Sequence, residues 1–137
     1  MAIALTKFTS FATDVGLKVH NLNTDTIKAA LTNTAPSASD TEFTVVKFPA
    51  PAAANGYTAL GHDTQNLFSA GKMTGTDIVI TATAGGIGPF RYIILYNDTA
   101  TADAMVGWYD YGSSITLASG ETFTIDFDGS AGILTIT

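Results

Sequence analysis

From residue 77 onward the chain is a succession of short apolar runs cut by turn-formers, and this pattern limits the fold more than any other feature. The runs are "DIVITATA" (77–84), "FRYIILYN" (90–97), "AMVGWYDY" (104–111), "SSITLAS" (113–119), "ETFTIDFD" (121–128) and "GILTIT" (132–137). Between them lie "GGIGP", "NDTATAD", Gly112, "SG" and "GSAG", all residues that favour turns. In "ETFTIDFD" the alternation is strict: Phe123, Ile125 and Phe127 face one way, and Thr122, Thr124, Asp126 and Asp128 the other. That is the signature of a half-buried antiparallel strand. "YIIL" is apolar on both faces and predicts a central strand. Six evenly spaced strands imply an all-β fold, an antiparallel β-sandwich or jelly-roll-like barrel.

The composition agrees. Threonine occurs 22 times, while Glu occurs only twice and Lys five times. Thr is β-branched and suits strands, whereas Glu and Lys are the usual surface residues of helices. At 137 residues the chain is one domain's worth of material. Residues 5–15 carry apolar side chains at Leu5, Phe8, Phe11, Ala12 and Val15, a helical stripe, with Gly16 placed to stop it. A short N-terminal helix or arm over residues 1–16 is therefore expected. "LKVHNL" (17–22) predicts a short strand. "NTDTIKAALTN" (23–33) serves either period and is read as a strand. Residues 34–56 are rich in Pro, Ala, Ser and Gly and predict a loop or extended arm, interrupted by a strand-like "TEFTVVKF" (41–48).

Several function classes fall away. A net charge of −6, with the five lysines scattered singly, does not suit nucleic acid, which needs clustered cations along the phosphates. The absence of cysteine removes disulfides, thiolate metal sites and cysteine nucleophiles. No apolar run reaches 18 residues, and "MAIALTKFTSF" lacks the basic start and apolar stretch of a signal peptide, so a soluble protein made in the cytosol is expected.

Candidate chemistry is thin. His62 and Asp63 could orient one another beside Ser69, but no nucleophile-elbow pattern surrounds them, and turn hydrogen bonding is the simpler reading. "DFDGSAG" (126–132) resembles half a calcium loop; counted from Asp126, the twelfth position is Thr137 rather than Glu, and an Asp128-Gly129 hairpin turn is favoured. "GGIG" (85–88) precedes a strand, not a helix that could receive a phosphate. Trp108, Tyr109 and Tyr111 offer a sugar platform, of which Tyr109 and Tyr111 share a face. Arg91 is the only arginine, with Asp110 and Asp126 on neighbouring runs. Its planar fork suits a structural bridge to a strand carboxylate, or a salt bridge across a subunit boundary.

The ordered run "DTIKAAL", "GYTALG", "RYIILY" and "YGSSITL" resembles a family of small structural proteins of tailed bacteriophages, described as head decoration, cement or minor virion proteins. Gly56, Tyr57, Gly61, Arg91, Tyr92 and Tyr96 match its pattern, and Leu60 stands where that pattern has glycine. The resemblance implies β-sandwich protomers that self-associate, with a trimer favoured, and that bind the major capsid protein on the head surface. It implies no enzymatic activity, and the residues themselves suggest no cofactor, metal, nucleic-acid or membrane partner. Residues 1–15 and 34–55 would be arms gripping neighbours, with Phe8, Phe11, Phe48, Tyr57 and Arg91 as interface residues. A neck, tail or fibre component and a sugar-binding adhesin built on Tyr109 and Tyr111 are the alternatives.

Overall fold

A computed structural model describes residues 3–51 and 54–136. The fold is all-β with one short helix and antiparallel pairing throughout. The elements are β1 (Thr6–Lys7), α1 (Ser10–Gly16), β2 (Ile27–Thr32), β3 (His62–Asp63), β4 (Leu67–Ser69), β5 (Lys72–Thr74), β6 (Ile78–Thr81), β7 (Ile87–Asn97), β8 (Met105–Leu117), β9 (Thr122–Ile125) and β10 (Leu134–Thr135). They form a five-stranded sheet in the order β1-β8-β7-β2-β3, a three-stranded sheet β10-β5-β4, and the pair β6-β9.

The C-terminal half is one long ribbon. β6 pairs with β9 from Ile78↔Ile125 to Thr81↔Thr122, and β7 pairs with β8 from Ile87↔Leu117 to Tyr96↔Met105. Between these stretches the two chains stay bonded, with Ala82 N donating to Glu121 O (2.8 Å) and Gly120 N to Ala82 O (2.7 Å). The ribbon doubles over at this corner. Phe123 on β9 then meets Phe90 edge-on at 5.0 Å and Tyr111 at 5.7 Å, both from the ribbon's other arm. Doubling is required because Ile78, Ile80, Phe123 and Ile125 share one apolar face that a lone two-stranded ribbon cannot bury.

The five-stranded sheet is buried on both sides. Ile27, Ala29 and Leu31 of β2, with Ile93 and Leu95 of β7, meet the smaller sheets in the main core. Ala30, Ile94 and Tyr96 point the other way, into a second core closed by Phe8, Phe43 and Phe48. The two-faced "YIIL" run is thus the central strand that its composition predicts. Register shifts around Phe90 and Leu95 are bulges that let the ribbon bend without losing its apolar faces.

Several local expectations are corrected. The runs 104–111 and 113–119 are a single 13-residue strand. Gly112 stays within it at φ 98°, where it bends the strand rather than ending it. Residues 17–22 form no strand: Asn21 Oδ1 accepts from the amides of Asn23 and Thr24, and Asn21 N donates to Asp25, winding the segment into turns. The run 41–48 contributes only one isolated bridge, Glu42↔Ala104. The helix begins at Ser10, later than expected, because Thr6 and Lys7 are taken up by β8; at its far end Lys18 (φ 63°), not Gly16, adopts the left-handed conformation. Asp128 caps a turn to the amides of Ser130 and Ala131, but β9 and β10 lie in different sheets, so no hairpin forms there. The sequence reading missed the β4–β5 hairpin, whose turn residues Ala70 (φ 53°) and Gly71 (φ 75°) are both left-handed, the geometry favoured by twisted strands.

Gly56 shows how tightly the layers close. Its φ is 98°, and a Cβ there would sit 2.1 Å from Thr81 O. Gly56→Ala is expected to lower stability by about 2–4 kcal/mol in urea unfolding. A loss within error of zero would mean that the segment can move off the ribbon corner.

Candidate interaction surface

Residues 34–51 do not extend as an arm; they fold back over the second core. Thr9 N donates to Ala38 O (2.9 Å), Met105 N to Thr41 O (3.3 Å), Phe43 N to Asp103 O (3.0 Å), and Thr32 Oγ1 to Pro49 O (2.9 Å). The buried Asp40 accepts from Ser37 N and pairs with Lys47 Nζ. Phe43 stacks on Tyr96 with centroids 4.2 Å apart and lies parallel to Phe48 at 5.9 Å. These two rings are the anchors.

Anchoring Phe43 and Phe48 forces the turn between them outward. Phe48 N reaches back to Thr44 O (2.9 Å), and Val45 and Val46 are left at the apex, with Val46 89 % exposed. Beside them, Leu60 (φ 65°) is 46 % exposed on the 57–61 turn. That turn is fixed from beneath: Tyr96 Oη donates to Leu60 O, Leu31 N donates to Tyr57 Oη (3.0 Å), and Thr58 N donates to His62 Nε2 (3.3 Å). Val45, Leu60, Ala59 and Pro49 thus border an open apolar groove of about 370 Å³. No Asp, Glu, Lys, Arg or His lines it. Burial pushes the Tyr57 hydroxyl up to about 12, so this wall is neutral at any physiological pH.

Of the residues nominated from sequence, Phe8, Phe11, Phe48 and Tyr57 are all buried in the chain's own cores, with Tyr57 also reaching the floor of this groove and Phe11 that of a hollow beside α1. Arg91 faces solvent in a two-pronged pair with Asp110, Nε to Oδ1 at 2.8 Å and Nη2 to Oδ2 at 3.1 Å. Its hydrogen bonds, with the Gly112 amide, hold the Asp110 carboxyl below the usual range. The guanidinium therefore braces β7 against β8 just where Gly112 bends the strand. Tyr109 is buried against Phe127 while Tyr111 is exposed, so the paired tyrosine platform does not exist. Ser69 sits in the β4–β5 hairpin, and His62 accepts the Thr58 amide as a turn residue. Among the described residues no cluster of three or more His, Cys, Asp or Glu could hold a metal. No family model matches the chain, and no curated protein or solved structure does either.

The strand-like run 41–48 places Val45 and Val46 inside a strand, and Leu60 enters the sequence only as standing where the resembled pattern has glycine. The usable signal was the five-residue interval between Phe43 and Phe48, which no period-2 strand can keep on one face.

A buried polar cluster lies at the end of β7. Asn97 Oδ1 accepts from the amides of Thr99 and Ala100 (3.0 Å each), which orients its amide nitrogen toward Asp25 Oδ2 (2.7 Å) and His20 Nδ1 (3.0 Å). His20 Nδ1 must then accept, leaving the proton on Nε2, 3.9 Å from Asp14 Oδ2. Burial lowers the His20 pKa from 6.5, and the carboxylates of Asp14 and Asp25 oppose that shift.

Two outcomes follow from these contacts. Phe48→Ala should cost about 3–5 kcal/mol, a core-cavity value, while Val46→Asp changes stability by no more than about 0.5 kcal/mol. Equal, small losses in chemical denaturation would mean that the 43–48 turn is not docked on the sheet. Because folding keeps His20 neutral, the unfolded chain binds more protons below pH 6.5. Stability should be full above that pH and fall as the pH drops toward the lowered folded value, at no more than about 1.4 kcal/mol per pH unit for the one proton. Urea titrations between pH 7.5 and 5.5 should show this slope in the native chain and lose it in His20→Asn.

Proposed function

We propose that this chain is a non-catalytic virion structural protein, a head decoration or cement subunit that binds the major capsid protein of a tailed bacteriophage. The sequence run that resembles such proteins supports the phage assignment. The observation that carries the docking role is the Val45–Val46 apex with Leu60, exposed apolar side chains beside an uncharged groove on a turn anchored by Phe43 and Phe48, with the neighbouring Lys47 paired to Asp40. Exposed apolar side chains grouped on a rigid support mark interaction sites more often than isolated ones do. A rigid support also removes most of the ordering entropy that a flexible arm would lose on binding. Weak apolar contacts of this kind, repeated over a lattice and by a trimeric protomer arrangement, add up through multivalency and are insensitive to salt. A place in the neck or tail uses the same surface at lower copy number.

The test is the amount of this chain relative to the major capsid protein in purified particles, by quantitative mass spectrometry, for native and Val45→Asp/Val46→Asp forms. A simple stoichiometric ratio, lost in the folded double variant, supports decoration. A few copies per particle moves the protein to the neck or tail, and absence from particles overturns the virion reading.

A further inference from the structure

A second surface lies on the other side of the N-terminal segment and has a different character. α1 buries Phe11, which stacks on His20 with centroids 5.5 Å apart. Alongside the helix runs the C-terminal strand β10, which among the described residues is an edge strand paired with β5. Two adjoining hollows of about 350 and 280 Å³ separate helix and strand, and they share Val15 and Ile136 as walls. Phe11, Ala12, Leu22 and Phe68 make the remaining apolar lining.

The charge of this groove runs against that of the molecule. The chain has twelve side-chain carboxylates to six Lys and Arg, yet among the described residues Lys7 and Lys18 are the only charged side chains lining the two hollows. Lys7 precedes α1 and Lys18 follows it, so a cation flanks each end of the helix. Lys7 Nζ is held by Thr135 O (3.1 Å), whereas Lys18 makes no ion pair or side-chain hydrogen bond among the described residues. Asp14, the one acid on the helix, is drawn toward His20. His20 contributes no positive charge because it is held neutral.

We infer that this groove binds an extended segment of a partner protein that presents apolar side chains and carboxylates in turn along one face. The apolar side chains fill the hollows, the carboxylates meet Lys7 and Lys18, and the segment lies beside β10, an edge strand among the described residues. Residues i, i+2 and i+4 of an extended backbone share a face, so apolar and acidic residues taken in turn at every second position reach the hollows and the lysines together. Charge complementarity selects an acidic occupant over a basic one. This surface is separate from the Val45–Val46 apex and does not depend on the virion role.

The inference is tested by titrating the ¹⁵N-labelled full chain with an acetylated eight-residue peptide that sets leucine and aspartate in turn at every second position, with serine between, and with the counterpart that has lysine in place of aspartate. The acidic peptide should shift the amides of Val15, Lys18, Phe68 and Ile136, with affinity that falls as salt is raised. Lys18→Asn suits the left-handed backbone at that position (φ 63°) and should weaken binding while preserving the spectrum. Lys18→Glu should weaken it about tenfold and improve binding of the basic peptide. No shifts with the acidic peptide, shifts centred on Val46 and Leu60 instead, or equal affinity in both variants would each overturn the assignment. The virion copy number is unaffected by any of these outcomes.

Discussion

A strand with large apolar side chains on both faces has to be covered twice, and β7 sets this demand for the whole molecule. Ile93 and Leu95 need one cover, Ile94 and Tyr96 another. The first is supplied when the C-terminal ribbon doubles over and the β4–β5 hairpin joins it. The second has no strands left to build it, so the 34–51 segment is laid across and pinned by two phenylalanines. The outward valines are a by-product of that pinning. What looks in sequence like a free arm is a lid on the chain's own sheet.

Covering the sheet also seals backbone groups at its ends, and those must find partners. Asn66 answers this need beside β2: it accepts from Ile27 N (3.1 Å) and donates to Leu22 O (2.6 Å) and Asp25 O (3.1 Å). Thr64 Oγ1 donates to Ile27 O (2.9 Å). Asn97 does the same work at the end of β7. The irregular 17–26 segment is therefore held by side-chain amides in place of a sheet ladder. The neutral His20 is the member of this cluster most exposed to a change of conditions, since a second proton would face the Asn97 amide hydrogens.

The strong alternation of "ETFTIDFD" and the two-faced "YIIL" were legible because they are local signatures of burial, and the all-β class followed from them. Gly112 misled, because a glycine signals a break only when no neighbour carries the strand onward, and β7 does so by pairing on both sides of it. "TEFTVVKF" misled for the converse reason: its pattern fits a strand, but the sheet edge beside it offers a single bridge. Phe8, Phe11, Phe48 and Tyr57 read in the sequence as interface residues and are buried in the chain's own cores, because nothing in a sequence says whether an aromatic is buried by its own chain or by another. The Arg91–Asp110 pair was readable from the adjacency of two runs, since their pairing places those residues on neighbouring strands.

The doubled ribbon has a consequence for how the chain acquires its shape. Ile78 and Ile125 are 47 residues apart in sequence, a separation that would ordinarily make their pairing slow. The pairs are nested, however, and Tyr96 and Met105, only nine apart, sit at the innermost end. If closure starts at the 97–104 turn, each further pair closes only a small additional loop, so the search for a distant partner becomes a sequence of short steps. A topology dominated by remote contacts is thereby reachable by zippering outward from one turn.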